Sequence, residues 1–355
     1  LSSPGDLAGA IAPAQPQGVR HDRADQEEPM RVFVAGAGGA IGAQLIPQLV
    51  ARGHDVAGMT RSAGKRDAIV ALGAQPVVAD ALDAQAVARA VRDARPEIVV
   101  HQLTALAGDM DMRHADRYFA KTNWLRTRGT DNLIAAAHAV GARRFVAQSY
   151  AGWPFARTGG PVKTESDPLD PAPPAALREA LAAIRYLECT VTALEWAEGI
   201  VLRYGALYGP GTGIGSDPDG AMTKPVRKRQ FPLVGDAGGV WSFVHVGDAA
   251  AATVAAIEHG AAGIYQVVDD EPAPVREWLP VLATALRAKP PRHLPAWVAR
   301  VAAGEVATVM ITESRGASNG KAKRELGWQP RHPSWRTGFA EAVRGGLPAA
   351  DDRAA

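Results

Sequence analysis

The residues best placed to do chemistry come early in the chain. Gly36-Ala37-Gly38-Gly39-Ala40-Ile41-Gly42 follows the apolar run Val32-Phe33-Val34-Ala35 and precedes an amphipathic stretch from Ala43 to Ala51. Glycines at this spacing between a strand and a helix build a cradle for the pyrophosphate of a dinucleotide. Gly36 permits the tight turn, Gly39 lets the backbone approach the phosphates, Gly42 lets helix and strand pack closely, and the helix start offers free N–H groups. The candidate contacts are Gly36, Gly38, Gly39, Ala40, Ile41 and Gly42. About 20 residues on, a carboxylate at the end of the second strand would hold the ribose 2′-hydroxyl of NAD. Thr60-Arg61-Ser62 stands there instead, with Lys65 and Arg66 following. These basic side chains can pair with a 2′-phosphate through charge-assisted hydrogen bonds, so NADP(H) is favoured over NAD(H). At the end of the third strand Asp80 is placed to accept from the adenine amino group and Ala81 to line the ring, while Asp83 reads as a helix N-cap.

Those residues need a scaffold, and the chain carries one pattern throughout. From residue 31, short Val/Ile-rich runs alternate with longer amphipathic or Ala-rich runs, as in a parallel sheet covered by helices on both faces. Strands are predicted at 31–36, 55–60, 75–79, 97–103, 143–149, 199–204 and 263–268, with helices in most intervals. The fold class is α/β, a Rossmann doubly wound parallel sheet with a smaller C-terminal substrate lobe. Residues 30–205 form the dinucleotide-binding core. Residues 206–345, with loops rich in Gly, Pro and Asp at 209–240 and a Pro-rich stretch at 287–296, form the substrate lobe, interleaved with the last core strands. Residues 1–29 lack periodicity and read as a disordered tail, with Met30 as the expected natural start, and 346–355 read as a second tail.

Composition removes several classes of function. The formal net charge is +2 and no long basic run is interleaved with aromatics, which argues against a nucleic-acid partner. The single cysteine, Cys189, excludes an internal disulfide framework, and no apolar run is long enough to span a bilayer. A cytoplasmic protein acting on a small molecule is expected, and homodimerisation is left open. The nine histidines show no His-x-x-x-His spacing, so no metal is implied. Ser149 lies in Ala-Gln-Ser-Tyr-Ala rather than a Gly-x-Ser-x-Gly elbow, which argues against a serine hydrolase.

Taken in order, the glycine loop, VVAD, VVHQLTA, TNWLRTRGTDNLIAAA, RRFVAQS, VLRYGALYGPG, FVHVGDAA and KAKRELGWQP resemble the extended short-chain dehydrogenase/reductase family, also called the NAD-dependent epimerase/dehydratase family, over residues 30 to 345. The resemblance implies that Leu103, Thr104 and Ala105 pass beneath the cofactor and that Asn123 helps fix the active-site backbone. It also implies that Ser149 lies beside the nicotinamide and that the loop from Tyr208 to Gly211 lines the junction of the lobes. Each residue has a plainer reading: Thr104 as a strand end, Asn123 as a turn cap, the Tyr-Gly-Pro-Gly loop as a bend. His245 reads as a structural histidine and Asp248 as the N-cap of the following Ala-rich helix.

The departures from the family matter more than the matches. The family uses a tyrosine and a lysine one helical turn apart, the ammonium lowering the phenol's pKa so that it can shuttle a proton. Counting from Glu188, which matches a family glutamate, these positions hold Ala180 and Ile184, and no Tyr-x-x-x-Lys occurs in the chain. Tyr150, directly after Ser149, takes nearly the place of the relatives' substrate-binding serine or threonine and is the candidate proton donor, with Lys163 as a candidate partner that would lower its pKa. Nucleotide-sugar enzymes of the family carry an arginine before the FVHV block, whereas this chain has Trp241, which cannot neutralise phosphate. A neutral, fairly apolar substrate is expected, with Trp153, Phe155, Tyr208 and Trp241 as pocket walls.

The sequence thus points to an NADP(H)-dependent oxidoreductase acting on a carbonyl or alcohol of a non-nucleotide substrate. A catalytically silent NADP(H) sensor and a nucleotide-sugar epimerase or dehydratase are the alternatives. Replacing Arg61 with Ala should weaken NADPH binding by about 1–3 kcal/mol, the range for a charge-assisted hydrogen bond, and leave NADH nearly unchanged. Fluorescence titration with both cofactors checks this, and equal losses would overturn the reading of the second strand.

Overall fold

The computed structural model describes residues 29–106 and 110–345, so the predicted tails at 1–29 and 346–355 fall almost wholly outside the described residues. Seven strands form one sheet: β1 (Arg31–Ala35), β2 (Asp55–Thr60), β3 (Gln75–Val78), β4 (Ile98–His101), β5 (Arg144–Tyr150), β6 (Glu198–Tyr204) and β7 (Gly263–Val267). Their order is β7-β6-β5-β4-β1-β2-β3, with every pairing parallel. The strand order reverses between β1 and β4, and the crevice outside the carboxyl ends of these strands is where a doubly wound sheet takes its ligand.

Alternation across each strand explains why both faces are covered. On one face Val32 and Val34 of β1 pack with α1 (Ala40–Val50) and α7 (Val246–Glu258). On the other, Phe33 and Ala35 join residues of α3 (Ala84–Ala94), α5 (Thr130–Ala139) and α6 (Arg178–Thr192). Two further helices, α2 (Arg66–Ala71) and α4 (Ala115–Trp124), complete the crossovers on this half of the chain. As expected, Asp83 caps α3, its carboxylate accepting from the N–H groups of Gln85 and Ala86 at 3.0 Å each. The fourth strand ends at His101, short of the predicted residue 103. Gln102 still donates to the Ala35 carbonyl at 2.8 Å, but its own carbonyl turns toward Gly36 and leaves the ladder.

The C-terminal part gathers around a second core in which Phe243, Trp278, Trp335 and Phe339 are fully buried. It contains α8 (Val275–Ala285), α9 (Ala296–Thr312) and α10 (Trp335–Arg344). Two buried carboxylates fasten its end to the sheet. Asp269, just beyond β7, accepts from the Trp335 N–H at 3.0 Å, and burial pushes its pKa up to about 8. Asp248 corrects the sequence reading, because the N-cap of α7 is the imidazole of His245, which accepts from the Gly247 N–H at 3.2 Å. The Asp248 carboxylate is buried and accepts instead from the N–H groups of Arg331 (3.0 Å) and His332 (2.8 Å) and from His332 Nδ1 (3.0 Å). Its carbonyl takes the indole N–H of Trp328 at 3.1 Å.

Changing Asp248 to Ala strips the acceptor from two backbone N–H groups and should destabilise the protein by about 2–4 kcal/mol. The measurements are a urea midpoint and amide exchange over 328–345; an unchanged midpoint would mean that the clamp is dispensable.

Candidate active site

The cradle at the end of β1 is built by close backbone contact. Gly36 sits at φ +102°, and a Cβ there would lie 2.6 Å from the Gln102 carbonyl oxygen. A Cβ on Gly42 would lie 2.5 Å from the Gly36 oxygen and 2.6 Å from that of Ala37. Only glycine fits either place. Gly39 precedes α1 in an extended conformation, and the helix start at Ala40, Ile41 and Gly42 has neither a side-chain cap nor an acidic residue in its first turn. Its donors are left to an anion, so the cradle fits the pyrophosphate of a dinucleotide. Lys65 reaches over the loop and donates to the Gly38 carbonyl at 2.7 Å.

Around this cradle the other predicted contacts take definite places. Thr60 is buried, and its hydroxyl accepts from the Ser62 N–H at 3.2 Å, shaping the turn that leaves Arg61 exposed. Asp80 is exposed, its carboxylate holding the Leu82 N–H at 3.0 Å, and the Ala81 carbonyl accepts from Asn132 at 2.8 Å. Leu103 donates its N–H to His101 Nδ1 at 3.3 Å and Ala105 to the Thr122 hydroxyl at 3.1 Å, with Thr104 exposed between them. The amide of Asn123 is buried, and neither its oxygen nor its nitrogen has a partner among the described residues.

At the end of β5 the structure assembles a buried polar group. Ser149 donates to Glu188 Oε1 at 2.7 Å, and Arg203 on β6 binds the same carboxylate through Nε (2.8 Å) and Nη2 (2.6 Å). All three side chains are buried. Arg126 lies close enough to interact with Glu188 electrostatically. It comes from the π-helical turn Leu125–Gly129 that joins α4 to α5. The residue is 4% exposed, and burial holds its pKa down to about 10. Arg203 carried a signal in the sequence, since a lone arginine inside the apolar run GIVLRY of a buried strand must find a partner. Arg126 carried one too: it shares a stripe at helical spacing with Thr130, Leu133 and Ala137, all fully buried.

The two positions that the sequence reading assigns to the family's tyrosine and lysine, Ala180 and Ile184, are buried. Ala180 is 1% exposed and packs with Phe119, Leu177, Val306 and Met310, with Trp153 and Trp241 against the cluster; Ile184 is fully buried. Tyr150 lies at the end of β5, its ring centroid 6.5 Å from that of Trp153, and burial pushes its phenol up to about 12. Lys163 is buried, but its ammonium donates to the Thr158 carbonyl at 2.6 Å and pairs with Asp167 at 3.4 Å, partners from its own loop rather than Tyr150.

An apolar cavity of about 270 Å³ opens in the C-terminal part, walled by Met110, Met222, Phe231, Trp241, Met310 and Ile311. The Trp241 indole is fixed by donation to the Met310 carbonyl at 2.8 Å. Tyr208 does not line this cavity, contrary to its expected place as a pocket wall. It is fully buried in the second core, edge-on to Phe339 and His245, because Gly338 opens room for its hydroxyl. Phe155 is likewise in the core, beneath the Arg203 guanidinium. Although the histidines look scattered in sequence, His245, Asp248 and His332 meet within 4.8 Å, where the Asp248 oxygens are already engaged by the C-terminal segment.

This fold and cradle are those of a nicotinamide-dinucleotide-binding Rossmann protein. A profile of the NAD dependent epimerase/dehydratase family matches residues 32–268, and the chain belongs to that family. A Streptomyces protein described as a 3-diazoavenalumate denitrifying reductase is 48% identical over 87% of this chain and 99% of its own length. The 2-alkyl-3-oxoalkanoate reductase of Stenotrophomonas maltophilia is 28% identical over 73% of this chain and 76% of its own. Among solved structures, the UDP-glucose 4-epimerase of Thermus thermophilus in complex with NAD superposes with a TM-score of 0.68 at 27% identity, covering 90% of this chain and all of that one. No described helix is long and apolar enough to cross a membrane.

Replacing Glu188 with Ala would leave buried cations without their counter-charge and should cost about 3–5 kcal/mol. Denaturant unfolding measures it, and a loss below about 1 kcal/mol would mean that the network relaxes freely.

Proposed function

We propose that this protein is an NADP(H)-dependent reductase of a small, apolar-bodied, non-nucleotide substrate, working without the tyrosine–lysine relay of its family. The observation that carries the reading is the packing of Ala180 into an apolar cluster together with the full burial of Ile184, since neither side chain can move a proton. Absence of that relay favours an acceptor that needs none. A diazo group, such as the substrate of the 48%-identical relative carries, meets the requirement. A bound nicotinamide would supply a hydride. A diazonium that took this hydride at its terminal nitrogen would become a diazene, and breaking its C–N bond would release dinitrogen and leave the N–H proton on the carbon. Atoms and charge balance with no outside acid.

The chain's own residues have defined tasks in this scheme. Gly36, Gly39 and Gly42 and the start of α1 hold the pyrophosphate. Arg61 and Lys65, with no carboxylate at the end of β2, favour the 2′-phosphate of NADP(H). Leu103, Thr104 and Ala105 pass beneath the cofactor, Asn123 helps fix the active-site backbone, and residues 206–345 act as the substrate lobe. Its cavity, with Trp241 where phosphate-binding relatives carry arginine, suits a flat apolar body better than a nucleotide.

Carbonyl reduction is the second reading, favoured by the position of Tyr150 at the carboxyl end of β5. There burial keeps its phenol protonated and able to donate to a carbonyl oxygen, with Ser149 beside it and Lys163 held apart.

One experiment separates these readings. Purified protein is titrated with NADPH and NADH by fluorescence, then given an aromatic diazonium carboxylate and a ketone panel while nicotinamide absorbance and dinitrogen release are followed. The diazo reading expects dinitrogen in step with NADPH oxidation and a Tyr150→Phe variant within about twofold of wild type. The carbonyl reading expects ketone turnover that falls by about 10²–10⁴ in the same variant. Tight cofactor binding with no turnover on either class would favour the silent sensor instead.

A further inference from the structure

The polar group at the end of β5 carries more positive charge than negative. Glu188 already accepts three hydrogen bonds, from Ser149 and Arg203 Nε on one oxygen and from Arg203 Nη2 on the other. Arg126 brings a second buried guanidinium near the same carboxylate, yet among the described residues its Nε and Nη1, and Nη1 of Arg203, are buried with no hydrogen-bond partner. His101, at the end of β4, does not offset this charge. Its imidazole feels the Arg126 cation, and burial lowers its pKa to about 4, so it is neutral near pH 7. Buried donors without acceptors are costly and rare in folded proteins. A π-helical turn, as at Leu125–Gly129, is itself uncommon and often found at functional sites.

The place of this unspent cation is informative. The turn that carries Arg126 abuts the carboxyl end of β4: His101 Nε2 lies 3.3 Å from the Leu125 carbonyl and 3.1 Å from the Thr130 hydroxyl, which donates to the Arg126 carbonyl at 2.9 Å, while Glu188, whose charge Arg126 feels, binds Ser149 on β5. Glu188 in turn lies one helical turn after Ile184, the position where the family's ammonium is missing. We propose that Arg126 is the site's oxyanion-binding cation, contributing the positive charge that Ile184 cannot and holding a substrate oxygen, formed at or conjugated with the hydride acceptor, on which negative charge gathers. This rests on the reductase reading. Because the guanidinium stays charged throughout, it stabilises an oxyanion without donating a proton, and so does not restore the lost relay.

The test uses 4-nitrophenol as the oxyanion probe, added to the full chain saturated with NADP⁺. Wild type should take it up as the phenolate, seen as the long-wavelength absorption band at a pH where free probe is mainly protonated. Arg126→Met should lower phenolate affinity by about tenfold or more, the loss expected for a charged hydrogen bond. Arg126→Lys, which keeps the charge, should recover part of it. Cofactor affinity by fluorescence and the circular dichroism spectrum verify folding; should the Met variant not fold, Arg126→Gln, polar but uncharged, takes its place with the same expected loss. Equal phenolate uptake by wild type and the uncharged variant, or none by wild type, overturns the proposal. The measurement needs no turnover, so failure of the diazo or carbonyl assignment does not decide it.

Discussion

Burying charge at the heart of an α/β sheet is tolerable only when the charge is paired and hydrogen-bonded, and Glu188 meets that condition by drawing three donors from β5 and β6 together. The Ser149 hydroxyl and the Arg203 guanidinium approach it from neighbouring strands, which fixes the distance of α6 from the sheet. The helix cannot slide or rotate without leaving a cation unpaired. Its apolar residues Ala180, Ile184 and Leu187 are therefore presented to fixed neighbours. Ala180 in turn packs in the cluster against which Trp153 rests.

A second constraint is steric and acts at the other end of the crevice. Gly36 and Gly42 allow backbone atoms to approach where any Cβ would collide, so β1, the loop and α1 have one way to fit together. The uncapped start of α1 is the electrostatic result. The crevice thus pairs a surface made of backbone donors, suited to phosphates, with a group of buried side-chain charges at the end of β5.

Much of the scaffold was legible because the sheet is buried on both faces: each strand reads as a continuous apolar run, and all seven were placed within two residues of their observed ends. The exception in kind was β4, where a long-range carbonyl approach to Gly36, invisible to local pattern, ended the ladder early. Side-chain destinations were less legible. Tyr208 has the sequence neighbours of a site residue, but Gly338, 130 positions away, creates the space that draws it into the second core. Asp248 looked like a cap because its partners at 331 and 332 are distant in sequence. Arg126 and Arg203 left traces in their buried stripes, yet nothing local reveals that both would converge on Glu188.

The fastening of the chain's end to α7 bears on how the molecule comes into being. Trp328 lies in the same buried cluster as Val32 and Val34 of the first strand, alongside Ala322 and Leu326. During synthesis the glycine loop and its strand emerge well before residues 322–328, so one flank of their sheet stays uncovered until that segment leaves the ribosome. Truncation before Trp328 would therefore expose apolar surface on the nucleotide-binding half itself, and a shortened product would be a target for chaperones and proteases rather than a free-standing cofactor domain.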